Sequence, residues 1–147
     1  MIKNLNENDL IIFTDGGARG NPGPAAAGVV IKDFQGKVLI GFGKYLGPTT
    51  NNVAEYQGVI EALSCLINNP IGESKERKIY FYLDSKLVVS QLSGLYKVKD
   101  FKLKSLIIKI RELEEKIDSK IFYNFVPRSE NYQADSLVNQ TLDQEKY

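Results

Sequence analysis

Four acidic residues stand in settings that suit metal chemistry. Asp15 closes the apolar run Leu10-Ile11-Ile12-Phe13-Thr14, and Asp84 closes a second, Ile79-Tyr80-Phe81-Tyr82-Leu83. Glu55 falls one turn into a helical segment that follows Thr49-Thr50-Asn51-Asn52, and Asp135 lies early in the last helical stretch. Two acids at strand ends and two near helix starts can converge on one edge of a sheet. Converging carboxylates repel one another unless a cation sits among them. All-oxygen donors favour hard divalent ions such as magnesium or manganese. The chemistry this suggests is metal-dependent work on phosphates.

What the chain lacks narrows the field further. It has no histidine among its 147 residues. That removes Ser-His-Asp and Cys-His triads and imidazole zinc sites together. The single cysteine, Cys65, rules out an intramolecular disulfide. It lies in Ala62-Leu63-Ser64-Cys65-Leu66-Ile67, on the apolar stripe of a helix, and reads as a small buried hydrophobe. Carboxylate, lysine, tyrosine and metal remain for catalysis.

The net charge of +1 does not advertise a nucleic-acid partner. Charge is nevertheless uneven. Lys97, Lys99, Lys102, Lys104, Lys109 and Arg111 cluster around one acid, Asp100. Taken alone this is a solvated helix face, with a phosphate-facing patch as the alternative. No apolar run reaches the roughly 20 residues that span a bilayer, so no membrane association is expected. Residues 1–9 contain no apolar core of a signal peptide. The expectation is a cytoplasmic, monomeric protein with one domain over 1–147, in which 1–9 form an N-terminal extension.

The elements that must position the acids follow from periodicity. Residues 10–14 predict a buried strand, and the Gly- and Pro-rich run from Gly16 to Pro24 predicts a loop. Residues 25–32 and 37–46 predict two strands joined by a tight turn at Phe34-Gln35-Gly36, hence an antiparallel hairpin. Tyr56, Val59, Ile60, Leu63, Leu66 and Ile67 recur at helical spacing, predicting a helix from about Asn52 to Asn68 capped by Thr50 or Asn51. A strand over 78–83 precedes a short helix capped by Ser85 and ending near Gly94. An amphipathic helix over about 100–117, a strand over 120–126 and a last helix over about 131–143 complete the chain. The order β-β-β-α-β-α-α-β-α predicts an α/β fold, a five-stranded mixed sheet with helices on both faces. Ligands in such sheets tend to sit at the carboxyl ends of strands.

Each acidic segment has an ordinary explanation when taken singly. Asp15-Gly16 is a common turn pair. Thr49-Thr50-Asn51-Asn52 with Glu55 is what a helix start prefers. Asp84-Ser85 makes a strand exit and a cap, and residues 127–135 make a loop running into a helix. A phosphate-cradling Gly loop is excluded at 16–24, because no Gly-Lys-Ser/Thr follows and the next element is a strand. All four segments in this order, with the right element between each, form a specific pattern.

On these motifs the chain resembles the type 1 ribonuclease H family, from about Leu10 to Leu142. It is most similar to the compact forms that end in Val-Pro-Arg, Asn and Ala-Asp, here Val126-Pro127-Arg128, Asn131 and Ala134-Asp135. The resemblance implies a ribonuclease H-like fold and hydrolysis of the RNA strand of an RNA–DNA hybrid. It implies two ions per active site, Mg2+ or Mn2+, held by Asp15, Glu55, Asp84 and Asp135, and products with 5′-phosphate and 3′-hydroxyl ends. It further implies that Asn21 touches the minor groove, that Asn51 and Asn52 meet groove atoms and RNA 2′-hydroxyls, and that Thr50 grips a phosphate of the DNA strand. Gly16, Ser85 and Lys86, beside the acids, join this substrate-binding set.

Two departures from the family pattern stand out. Many members carry a mobile histidine before the last aspartate, and this chain has Arg128 in that neighbourhood. Arginine stays charged, so Arg128 suits phosphate or the leaving strand and cannot shuttle a proton. The basic, tryptophan-bearing protrusion of some relatives is also missing, leaving Lys97, Lys99, Lys102 and Lys104 as partial substitutes. No hybrid-binding domain is expected before Leu10. Rival expectations are double-stranded RNA cleavage, another nuclease on the same fold such as a junction resolvase or transposase core, and a catalytically silent hybrid-binding module.

Overall fold

The computed structural model describes residues 4–95 and 97–145. The first three residues of the expected 1–9 extension therefore lie outside the described residues. Five strands form one sheet: β1 (Leu10–Ala18), β2 (Gly23–Lys32), β3 (Val38–Thr49), β4 (Lys78–Leu83) and β5 (Lys120–Phe125). Their order across the sheet is β3-β2-β1-β4-β5. β1 pairs antiparallel with β2, and β2 with β3. β1 pairs parallel with β4, and β4 with β5. The four helices are α1 (Asn51–Asn68), α2 (Lys86–Leu92), α3 (Phe101–Glu115) and α4 (Tyr132–Gln144). The predicted order and mixed sheet are therefore both present.

Sheet alternation explains the two cores. Ile12, Val29, Ile31, Ile79, Phe81 and Leu83 point to one face and form one core with Tyr56, Val59 and Leu63 of α1 and with Leu106, Ile110 and Leu113 of α3, which packs on α1. Ile11, Phe13, Val30 and Tyr82 point to the other, where Ala134 and Leu137 of α4 pack. Val138 and Leu142 of α4 continue this layer over Ala26. Burial of these side chains is the main stabilising term. No helix among the described residues is long and apolar enough to cross a membrane.

Residues 4–9 belong to this structure. Leu5 packs beside the second core. The buried Asp9 carboxylate accepts the Asn6 and Lys78 N–H groups, both at 2.9 Å, tying the start of β1 to the start of β4. The β2–β3 turn is closed by Asp33, whose Oδ1 accepts the Gln35 and Lys37 N–H groups, with Gly36 at φ +85°.

One expectation is corrected. β1 does not end at Thr14 and 16–24 is not all loop. β1 runs on through Asp15, Gly16, Gly17 and Ala18, paired with Gly28, Ala27, Ala26 and Ala25. These residues lack the β-branched side chains that mark a strand in sequence. Their neighbour β2 makes the strand, since its ladder satisfies their backbone groups. β3 likewise runs to Thr49, beyond the predicted 46, and a short 3-10 turn at Arg128–Glu130 precedes α4.

Candidate metal centre

The sheet register places the first two acids side by side. Phe13 of β1 pairs with Tyr82 of β4, and Asp15 and Asp84 each follow two residues later. Beyond that point β1 keeps its antiparallel partner while β4 turns away at Ser85. Asp15 is thus inside a strand, at the step where the parallel ladder stops.

Two glycines let helices close on Asp15 from either side. Gly16 lies against the α1 backbone, where a Cβ would overlap the Ala54 carbonyl group and the Glu55 nitrogen. Gly28, the ladder partner of Asp15, lies against α4, where a Cβ would overlap the Ala134 carbonyl oxygen. The first approach delivers Glu55 and the second delivers Asp135.

Asp15, Glu55 and Asp84 each offer a carboxylate oxygen, and these oxygens lie within 4.8 Å of one another. All three side chains are buried: Asp15 is 4% exposed, Glu55 6%, and the Asp84 side chain 3%. The Gly16 N–H donates to Glu55 Oε1 at 2.9 Å. Glu55 Oε2 is buried with no hydrogen-bond partner. Burial pushes the Asp15 carboxyl up to about 7, the Asp84 and Asp135 charges adding to the rise while bonds from Glu55 and the Gly16 N–H oppose it. Burial also holds Glu55 well above the usual carboxylate range, with Asp15 and then Asp84 adding to it. Burial and mutual crowding thus disfavour full ionisation of the pair. Crowded, desolvated carboxylates and an orphaned oxygen are the donor set of a hard divalent cation, so the residues fit one.

Asp135 sits in the first turn of α4, half-buried, close enough for its charge to act on Asp15. It is not part of the 4.8 Å cluster. Arg128, in the 3-10 turn, brings Nη2 to 3.9 Å from Asp84 Oδ1 while its side chain stays 76% exposed. The structure therefore gathers three acids tightly, with Asp135 and Arg128 at the margin.

The polar residues expected to meet substrate divide in two. Thr50 caps α1, its hydroxyl oxygen accepting the Val53 N–H at 3.2 Å. Ser85 caps α2 by accepting the Val88 N–H at 3.3 Å. Asn21 Oδ1 accepts the Asn51 N–H at 2.9 Å, and Asn51 Oδ1 accepts the Ala18 N–H at 2.8 Å. These two bonds latch the β1–β2 turn to the start of α1 and leave both Nδ2 groups as exposed donors. Asn52 is exposed beside them. Lys86 is exposed, with Nζ 5.1 Å from the centroid of the Phe125 ring. Lys97 and Lys99 lie exposed in the segment between α2 and α3.

One residue at the site carried no role in the sequence reading. Asn131 is 1% exposed, and its Nδ2 donates to the Thr14 carbonyl oxygen at 2.9 Å and to Asp84 Oδ2 at 3.0 Å. An asparagine just before a helix signals capping, which hides this second use.

Residues 13–141 match a family model described as reverse transcriptase-like. The bifunctional protein Rv2228c of Mycobacterium tuberculosis is 38% identical over 135 residues, 91% of this chain and 35% of that protein. Ribonuclease HI of Halobacterium salinarum is 37% identical over 131 residues, 89% of this chain and 63% of that protein. The chain thus spans about a third of the length of the first curated relatives it matches. Among solved structures, LC11-RNase H1, isolated from compost by a metagenomic approach, superposes with a TM-score of 0.88 at 43% identity, covering 94% of this chain and 98% of that one. The same enzyme in complex with an RNA/DNA hybrid superposes with a TM-score of 0.85 at 40% identity, covering 93% and 99%.

Proposed function

Because the chain belongs to the type 1 ribonuclease H family, we propose that it hydrolyses the RNA strand of RNA–DNA hybrids, with two Mg2+ or Mn2+ ions per active site. The observation that carries this reading is the buried cluster of Asp15, Glu55 and Asp84, with Glu55 Oε2 unpartnered. The structure of a relative 40% identical holds an RNA/DNA hybrid, which supports that substrate.

Asp15, buried beside Glu55 and Asp84, would be a central ligand. Asp135, half-buried on a helix, is the adjustable member. Asp15, Glu55, Asp84 and Asp135 would hold the ions, which would supply water activation and charge neutralisation at a phosphodiester. The chain's own residues do the rest. Burial of the three carboxylates keeps their charge unscreened. Arg128 reaches out from Asp84 with a fixed positive charge, suited to a phosphate or to the departing strand. The exposed amides of Asn21, Asn51 and Asn52 line the approach. With their oxygens engaged, Asn21 and Asn51 donate, which suits 2′-hydroxyl oxygens and base acceptors in a shallow minor groove. Thr50 keeps its hydroxyl proton free for a phosphate oxygen of the DNA strand. Ser85 and Lys86 flank the site, and Lys97 and Lys99 supply weaker, outlying charge. All four acids come from one chain, which supports action as a monomer.

A cleavage panel tests the reading: RNA–DNA hybrid, double-stranded RNA, double-stranded DNA and each single strand, with Mg2+ or Mn2+. The expected result is cut RNA in the hybrid, with 5′-phosphate and 3′-hydroxyl ends. Cleavage of DNA strands with an intact hybrid would overturn it.

A further inference from the structure

Asn131 is placed where the elements carrying three of the four acids meet. Its side chain touches the carbonyl of Thr14, the residue before Asp15, and the carboxylate of Asp84. Its backbone carbonyl accepts the Asp135 N–H at 3.1 Å. Its N–H donates to the Arg128 carbonyl at 3.0 Å.

The bonding pattern is unusual for a structural amide. Both Nδ2 protons are committed, one to each acceptor. The reverse orientation would set Oδ1 against a carbonyl and a carboxylate, both acceptors, so the partners fix the orientation. Oδ1 is buried with no partner. Buried amides that serve only packing are normally satisfied at both ends. Asn131 is also the residue that precedes α4, yet its side chain makes no cap bond to that helix. Asparagine is among the best capping residues, and here that use is forgone in favour of Asp84.

On this evidence, and resting on the metal-nuclease reading above, we propose that Asn131 is the positioning residue of the metal centre. Its Nδ2 holds Asp84 Oδ2 and so fixes the carboxylate plane. Asp84 Oδ1, the oxygen that Arg128 approaches at 3.9 Å, is the one left for a ligand. Without the amide, Asp84 would rotate away from Asp15, since like charges repel. Partners that orient a ligating carboxylate typically change metal affinity by roughly 10–100-fold.

The test separates positioning from mere support of α4. Asn131→Ser keeps a small polar group able to cap the helix. Val138→Ala loosens α4 in its buried layer without touching an acid. Mn2+ affinity is measured by calorimetric titration of each folded variant, with thermal stability followed in parallel. The expected result is a loss in Mn2+ affinity of about 10–100-fold for Asn131→Ser and an unchanged affinity for Val138→Ala. Equal loss in both variants, or wild-type affinity in Asn131→Ser, would overturn the proposal. Should Asn131→Ser not fold, Asn131→Ala removes the donor without adding a ligand, and the same outcomes apply. Wild-type protein that takes up no Mn2+ would instead remove the metal-centre reading itself.

Discussion

Asp15, inside β1, and Asp84, the first residue past β4, each lie two residues beyond the paired Phe13 and Tyr82. The pairing of β1 with β4 thereby sets two carboxylates face to face before any helix contributes. α1 adds Glu55 at the one place where Gly16 admits its backbone. The metal-free protein therefore carries a built-in repulsion.

That repulsion has a sign that can be measured. The folded-state carboxyl of Asp15 is raised from 3.8 to about 7, and that of Glu55 is raised too. Between these limits the native state holds more protons than the unfolded chain, so stability falls as pH rises. For Asp15 the penalty is absent below about pH 4 and grows as pH rises through about 7, and Glu55 adds to it in the same direction. Thermal melts of metal-free protein across that window should show the decline, and Mn2+ should reverse it at pH 7. A flat profile without metal would contradict the crowding of these acids.

Asp15→Asn should separate stability from activity. Removing one of three crowded charges raises the melting temperature of the metal-free protein at neutral pH. Hybrid cleavage should fall by more than the roughly 10–100-fold that loss of an orienting partner costs. Melting curves and initial rates on the same preparation check both directions.

Gly28→Ala targets the approach of α4. A Cβ there overlaps the Ala134 carbonyl oxygen, so the helix must shift. Overpacking of this kind costs about 1–3 kcal/mol. Asp135 should be displaced with the helix, lowering kcat more than it raises KM. Wild-type kcat in a destabilised variant would show that Asp135 tolerates the shift.

Arg128→Ala should leave stability nearly untouched. The ion pair to Asp84 is long, and the arginine side is exposed. Exposed pairs contribute about 0–1 kcal/mol. Turnover should slow more than Mn2+ affinity weakens, because the exposed guanidinium is free to meet a phosphate of the substrate. An equal loss in both would assign Arg128 to the metal centre instead.

Much of this architecture was legible in the residues. The apolar runs ending at Asp15 and Asp84, and the helical spacing from Tyr56 to Ile67, predicted the elements and pointed to the acids. The distal half of β1 was not legible, because Gly16, Gly17 and Ala18 carry no strand signal and are held by β2. The Asn21–Asn51 latch was hidden for a similar reason: it joins residues 30 apart that local pattern treats as turn and cap. Asn131 was masked by its place before a helix, where asparagine needs no further explanation. Contacts set by tertiary approach leave little local trace.

The central claim, that the Asp15–Glu55–Asp84 cluster is a metal-dependent centre acting on hybrids, is tested most directly by one measurement. Single-turnover cleavage of an end-labelled RNA–DNA hybrid is followed for wild type and Asp15→Asn, first with chelator and then with Mn2+. The account predicts no cleavage with chelator, cleavage of the RNA strand by wild type on adding Mn2+, and at most residual cleavage by the variant. Wild-type rates in chelator, or in Asp15→Asn, would contradict it.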